Sequence, residues 1–344
     1  LGKSMRITRE SLIKIANDTV ERFLRKDQSI AAAYMCGSLL GLDYQLGGAA
    51  DIDLVFIHAN KPSAAREIIP LTEEIHLDIA HHAQDEYRYG KQLRVHPWLG
   101  PTLNTALALH DPRHVLDFVQ ASVRGQFDRE DYIFERAQNR LAQSRKIWSS
   151  YQPFGGHPEI GDSVQFVRSY VRALGHAVNA IASLSGPPLA ERRLLLEFQS
   201  RAEAVGKPGL YPGVLGLLGM SQISQTELPA LIERWEEIYR LLPESNIPVQ
   251  VHPSRKTYYI GAFQAMLAQQ KPEAMLYPML RTIALILTNQ PGDMRVFEKG
   301  QAFFGLLGLG EHVLHERLAA LDAYLDLVEE TIENWALENG VLQG

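Results

Sequence analysis

Two aspartates stand one residue apart in a segment that otherwise has the character of a buried strand. Asp51 and Asp53 flank Ile52, and the apolar run 54–57 follows directly. A buried carboxylate without a partner is costly, and two neighbouring ones repel each other unless a cation neutralises them. Because side chains alternate between the two faces of a strand, both carboxylates point the same way, while Ile52 and Leu54 point into the core. The pattern predicts a site for a hard divalent cation with oxygen ligands, Mg²⁺ above all, with Mn²⁺ as an alternative.

A third acidic residue repeats this pattern. Asp78 lies between Leu77 and Ile79, and His76 shares its strand face. If this strand lies beside the first, three carboxylates converge, and such a trio can hold two cations that bind a triphosphate and activate an attacking hydroxyl. Three roles are open to Asp78: metal ligand, general base for the hydroxyl, or structural partner of an arginine. For the aspartate pair, the alternative is a strand-entry turn with solvated acids.

A Gly-Ser pair at the end of an earlier strand supplies a candidate phosphate-binding element. Gly37 allows the backbone to turn sharply and to approach a ligand closely. If Ser38 begins a short helix that reaches Asp43, the free N–H groups of its first turn face an anion. We therefore expect Gly37 and Ser38 to contact the phosphates of a bound nucleotide.

A basic, tyrosine-containing stretch at residues 87–94 follows the strand of Asp78. Its cations, Arg88 and Lys91 among them, are candidates for holding a triphosphate, and its tyrosines for stacking on a base. The alternative is a solvated loop or helix face.

The elements that must position these residues occupy the first third of the chain. Thr8 is the expected N-cap of an amphipathic helix to about Lys26, and the segment 102–109 fits either a strand or a helix. The further predictions are strands at 30–36, 51–58 and 75–80, and helices from Ser63 to about Glu74 and from the Asp111-Pro112 turn through Val123. The strands follow one another too closely for a regular series of βαβ crossovers.

Helical periodicity dominates the chain after about residue 128. Helices are predicted at 131–148, 165–184, 189–205, 227–242, 256–269, 272–287 and 311–337, with Pro/Gly interruptions at 152–162 and 206–213. Within 165–184, Arg168, Arg172 and His176 fall on one face, which we interpret as a polar face. The fold class is therefore predicted to be α+β, with a small mixed-sheet domain at 1–128 and a large all-α helical bundle at 129–344.

Composition limits the class of partner. The formal net charge is −6 and no basic stripe is visible, so a nucleic acid is a disfavoured partner. No apolar run is long enough to span a bilayer, and the N-terminus has no secretory pattern. Cys36 is the single cysteine, which fits a reducing cytoplasm. The sequence leaves the oligomeric state open.

The order of these features resembles the nucleotidyltransferase superfamily of the DNA polymerase β type, over roughly residues 8–123. Its signature is Gly-Ser, a spacer, then Asp-x-Asp, with a third carboxylate on a later strand. The resemblance implies that Gly37 and Ser38 form the phosphate-binding turn, that Asp51 and Asp53 form the metal pair, and that Asp78 is the third acid. It implies transfer of a nucleoside monophosphate from an NTP to an acceptor, with release of pyrophosphate.

Two positions depart from the pattern of many members. An arginine often stands two or three positions after the Gly-Ser pair, where this chain has Leu39-Leu40-Gly41. A serine often precedes the aspartate pair, where this chain has Ala50. Both departures affect the expected affinity for an NTP more than they affect the metal site.

A small catalytic domain followed by a helical one is similar to the layout of antibiotic-modifying adenylyltransferases, in which the helical part closes over the acceptor. The resemblance implies a Mg²⁺-dependent, ATP-using enzyme that acts on a hydroxyl of a small molecule. Two alternatives stay open. One is a transferase that acts on a protein or a tRNA end, as in toxin–antitoxin systems. The other is a non-catalytic nucleotide-binding regulatory protein.

Overall fold

The polypeptide has the α+β fold class that the sequence predicts. The computed structural model describes residues 8–41, 43–152 and 162–343. The chain divides into two compact units, Leu1–Asp128 and Arg129–Gly344, of which the first contains a five-stranded sheet and the second is helical.

The first unit surrounds its sheet with helices. Its elements are α1 (Arg9–Lys26), β1 (Ile30–Cys36), β2 (Ala50–His58), β3 (Arg66–Pro70), β4 (Ile75–Ala83), α2 (Gly90–Val95), α3 (Leu99–Thr105), β5 (Leu107–His110) and α4 (Val115–Arg124). The predicted N-cap of α1 is confirmed, because the Thr8 hydroxyl accepts the backbone N–H of Ser11 and the Ser11 hydroxyl accepts that of Thr8.

The strand order is β3-β4-β2-β1-β5, with β2 and β4 parallel and the other neighbours antiparallel. One face of the sheet buries Ile52, Leu54, Leu77 and Ile79 together with residues of α1. The opposite face packs on residues of α2, α3 and α4, and it carries Tyr34, Val55 and Ile57. Since the aspartates alternate with Ile52 and Leu54, they lie on the second face.

Two predictions in this unit need correction. The helix predicted from Ser63 to Glu74 is wrong, because β3 occupies Arg66–Pro70 and pairs antiparallel with β4. The β-branched residues Ile68 and Ile69 suit a pleated strand, and Pro70 is tolerated at the end of an edge strand. The ambiguous segment 102–109 contains both element types, since α3 ends at Thr105 and β5 begins at Leu107.

The second unit is helical in its described residues. Its helices are α5 (Glu130–Ser149), α6 (Ser163–Ser185), α7 (Leu194–Ala204), α8 (Leu210–Leu217), α9 (Ala230–Tyr239), α10 (Lys256–Ala268), α11 (Leu276–Asn289), α12 (Met294–Leu306) and α13 (Leu314–Glu338). The sequence did not predict α8 or α12. Within α8, Pro212 lies in the first turn, where its missing N–H is not needed, so the segment 206–213 is an interruption only in its first part. Most of the interruption predicted at 152–162 lies outside the described residues.

The centre of this unit is α6, which is buried along most of its length and packs against α5, α11 and α13. Within the described ranges, none of the helices combines the length and the apolar character that crossing a bilayer requires.

Candidate metal centre

The parallel pairing of β2 with β4 brings three carboxylates together. In the register of this pair, Asp53 lies opposite Asp78 and Asp51 lies opposite His76. Asp51, Asp53 and Asp78 each offer one carboxylate oxygen, and these oxygens all lie within 4.8 Å of one another. The two strands are thus neighbours, which was the condition for the three acids to converge.

The cluster is largely removed from solvent. Asp51 is 8% exposed and Asp78 is 6% exposed, while Asp53 is half-buried. Carboxylates this close together repel one another when they are all ionised, and burial strengthens the repulsion because the effective dielectric constant is lower than in water. A bound cation would stabilise the ionised cluster.

Gly37 closes one side of the cluster. Its φ is +77°, in the left-handed region that favours glycine, and a Cβ built at this position would overlap the Asp53 carboxylate. The antiparallel pairing of Cys36 with Asp53 explains this closeness, because it places the turn after β1 beside the acid on β2. The structure therefore joins the Gly-Ser turn and the aspartate pair into a single local arrangement.

Ser38 begins a single 3₁₀ turn, Ser38–Leu40, so the condition set for anion binding, a short helix from Ser38 to Asp43, is not met. The turn ends at Gly41, whose backbone is extended and whose N–H donates to the Ser38 carbonyl. The Ser38 hydroxyl donates to the Tyr44 carbonyl at 3.2 Å. One turn of 3₁₀ helix supplies no helix N-terminus for a phosphate, so any anion contact here would come from the Gly37 and Ser38 groups themselves.

Arg66 binds Asp78 through both arms of its guanidinium. Its Nε donates to Asp78 Oδ1 at 2.6 Å and its Nη2 to Oδ2 at 2.5 Å. Bidentate pairs of this kind are among the stronger side-chain interactions in proteins. Sequence reasoning allowed an arginine partner for Asp78 but did not identify it, because Arg66 was assigned to a helix. The signal that would have found it is the β-branched pair that follows at Ile68 and Ile69.

His76 is a further residue of the cluster. It is fully buried, and its Nδ1 lies 3.9 Å from Asp51 Oδ1. Its place on the face of β4 that also carries Asp78 is the one the sequence pattern predicts.

The basic, tyrosine-containing stretch at residues 87–94 lies after β4, in a 3₁₀ turn and in α2. Arg88 is exposed and follows a 3₁₀ turn at Gln84–Tyr87, and Lys91 is exposed in the first turn of α2. Among the described residues, no hydrogen bond or ion pair connects either cation to the three aspartates. Tyr87 is buried and hydrogen-bonds Tyr34 and His82 through its hydroxyl, so it is not available to stack on a base, whereas Tyr89 is 57% exposed.

The donor set fits a hard divalent cation. Three carboxylates are oxygen ligands, which hard cations prefer. Burial and the nearby Asp53 and Asp78 charges raise the pKa of the adjacent Cys36 thiol, so this residue is a protonated thiol in the metal-free protein. With Mg–O distances of about 2.1 Å, opposite ligands of one Mg²⁺ lie about 4.2 Å apart. The three oxygens, all within 4.8 Å of one another, therefore lie at separations close to those between ligands of one cation.

A scan of the sequence against protein-family models finds no match, and a search of curated proteins finds no similar sequence. The mixed sheet, the helical region that follows it and the Asp51, Asp53 and Asp78 cluster are compatible with a nucleotidyltransferase fold.

Proposed function

We propose that the protein is a Mg²⁺-dependent nucleotidyltransferase. It moves a nucleoside monophosphate, AMP in the first instance, from an NTP to a hydroxyl of a small-molecule acceptor and releases pyrophosphate. The observation that carries the proposal is the convergence of three carboxylate oxygens within 4.8 Å on neighbouring parallel strands, with Gly37 against one of them.

The proposed roles follow from position. Asp51 and Asp53 hold the metal, since they project from the same face of β2. A bound divalent cation neutralises phosphate charge and lowers the pKa of a coordinated hydroxyl. Gly37 keeps space open beside the Asp53 carboxylate, which any side chain at that position would fill.

Asp78 serves as the third carboxylate, and Arg66 positions it. Each carboxylate oxygen of Asp78 accepts one hydrogen bond from Arg66 and retains a second lone pair for another partner. The two hydrogen bonds from Arg66 fix the plane of the Asp78 carboxylate. A metal ligand or a general base needs such a fixed plane, because its lone pair must point in a defined direction.

A second candidate function is a nucleotide-binding protein without transferase activity. The specific observation that favours it is the same Arg66–Asp78 pair, which already neutralises the third acid.

The test is a pyrophosphate-release assay on the full chain with each NTP, Mg²⁺ and a panel of hydroxyl-bearing small molecules, followed by calorimetry of NTP binding. Asp53→Asn removes a proposed ligand, and Asp18→Asn, at an exposed site on α1, is the matched control. Release that is lost in Asp53→Asn and kept in Asp18→Asn supports the transferase. Undiminished release in Asp53→Asn overturns it, and nucleotide binding with no release for any acceptor supports the second candidate.

A further inference from the structure

The helical unit contains a cavity of about 320 Å³ that is lined largely by cationic and neutral polar side chains. Arg168 and Arg172 come from α6, Arg281 and Asn289 from α11, and Gln250 from the segment before α10. No acidic side chain is among its described lining residues. The cavity is at the small end of the range for ligand sites, which suits a small molecule rather than a polymer.

The arrangement of the arginines follows from helix geometry and from packing. Arg168 and Arg172 are four residues apart, so they lie one turn apart on the same face of α6. Arg281 and Asn289 lie two turns apart on α11, which packs against α6. The packing of two helices thus gathers three guanidinium groups from two distant parts of the sequence around one concave surface.

The cationic charge in the cavity exceeds the acidic charge next to it. Arg281 forms an ion pair with Glu191. Arg168 and Arg172 form no side-chain hydrogen bond or ion pair with any residue in the ranges that the structure covers. Like charges at this helical spacing repel each other and are destabilising by themselves. Arg172 is exposed and Arg168 is half-buried, so water solvates both guanidinium groups, and an anion bound between them would relieve their mutual repulsion.

His176 lies one turn beyond Arg172 on α6, and its pKa is sensitive to the positive charge of the same arginines. Burial, together with the positive charges of Arg140, Arg172 and Arg281, lowers the pKa of His176 to about 4. Its imidazole is neutral at neutral pH, so it adds no charge to the cavity, but a bound anion would raise its pKa.

We propose that this arginine-lined cavity binds a small anionic ligand that carries phosphate or carboxylate groups. The guanidinium fork matches the geometry of both groups and donates two parallel hydrogen bonds to either. Gln250 and Asn289 supply amide groups for the uncharged part of the ligand. The inference rests on the helical unit alone and does not depend on the proposed transferase activity.

The test uses calorimetry on the metal-free full chain with inorganic phosphate, pyrophosphate and citrate as separate probes, in a buffer without other polyvalent anions. We compare the natural chain with Arg168→Gln/Arg172→Gln, and with Arg234→Gln, an exposed arginine on α9 outside the cavity, as the matched control. We expect at least one probe to saturate, with its Kd raised about tenfold or more in the double variant and unchanged in the control. The probe that binds best distinguishes a phosphate from a carboxylate ligand.

Binding that is equal in the natural chain and in the double variant overturns the proposal, as does a failure of all three probes to saturate at millimolar concentration. The melting temperature of each variant is measured to verify folding, and removal of two repelling charges is expected to leave it unchanged or raise it. The His176 ring protons, followed by NMR, give a second readout, since their titration should move to higher pH when the probe is bound. Asp53→Asn is expected to bind the same probe with the Kd of the natural chain, because Asp53 lies outside the cavity. The anion-binding proposal can therefore stand even where the transferase proposal fails.

Discussion

The Asp53 carboxylate occupies the space that a side chain on Gly37 would need. The contact joins the turn after β1 to the acid on β2, and it exists because Cys36 pairs with Asp53 across the antiparallel strands. Glycine is therefore required at this position for two reasons, namely its positive φ and the approach of the carboxylate.

Replacement of Gly37 by alanine should damage the metal centre more than it damages the fold. A backbone with φ +77° and ψ −163°, which essentially only glycine adopts, costs another residue about 1–3 kcal/mol, and the new methyl group would also displace Asp53. Gly48→Ala is the matched control, because Gly48 also has a φ of +77° but has nothing within 4 Å of the added Cβ. We expect calorimetry to show weaker Mg²⁺ binding in Gly37→Ala only. Equal Mg²⁺ affinity in the two variants would mean that the close contact between Gly37 and Asp53 does not contribute to metal binding.

Mg²⁺ should stabilise the natural chain through the aspartate cluster. With a Kd of about 1 mM, roughly 10 mM Mg²⁺ would add about 1.4 kcal/mol to the free energy of unfolding. In Asp51→Asn and Asp53→Asn we expect this gain to disappear, while the metal-free variants become slightly more stable because a like-charge repulsion is removed. Urea denaturation with and without Mg²⁺ measures both effects. If Mg²⁺ stabilises both variants as much as it stabilises the natural chain, the cation binds at a site other than the aspartate cluster.

Loss of Arg66 should destabilise the first unit. Arg66→Gln leaves the buried Asp78 carboxylate without its bidentate partner, and we expect a loss of about 2 kcal/mol in the free energy of unfolding. Asp78→Asn in the same background should recover part of this loss, because the unpaired charge is removed. A double-mutant cycle by denaturation gives the coupling energy. Additive effects would show that the pair is not coupled.

Acid should weaken the helical unit through His176. The pKa of His176 is lowered from 6.5 to about 4 by burial and by Arg140, Arg172 and Arg281, so the unfolded chain binds the proton more readily than the folded one. The contribution of neutral, buried His176 to the free energy of unfolding is therefore fully present above about pH 6.5. It is lost as the pH falls towards 4, and the loss is at most about 3 kcal/mol. Melting temperatures between pH 7 and pH 4.5 should fall less steeply in His176→Gln than in His315→Gln, an exposed control on α13. Parallel curves for the two variants would contradict this assignment.

Much of the candidate site could be predicted because its signals are local. A carboxylate between apolar residues is visible in the sequence at Asp51, Asp53 and Asp78, and strand alternation places the first two on one face. The helix α1 was predicted for the same kind of reason, since its N-cap Thr8 and its apolar face involve only near neighbours. The arginine partner of Asp78 was missed because β3 pairs with β4, and tertiary pairing overrode the local helical pattern.

The sequence alone determined the element types over most of the chain, the division into a mixed-sheet part and a helical part, and the presence of acids in buried strands. These depend on periodicity and capping within a few residues. Only the tertiary structure decided that Asp53 lies opposite Asp78, that Arg66 binds Asp78 and that Arg281 joins Arg168 and Arg172 around one cavity. The physical reason is that strand register and helix packing join residues far apart in the chain, and no short stretch of sequence contains both partners.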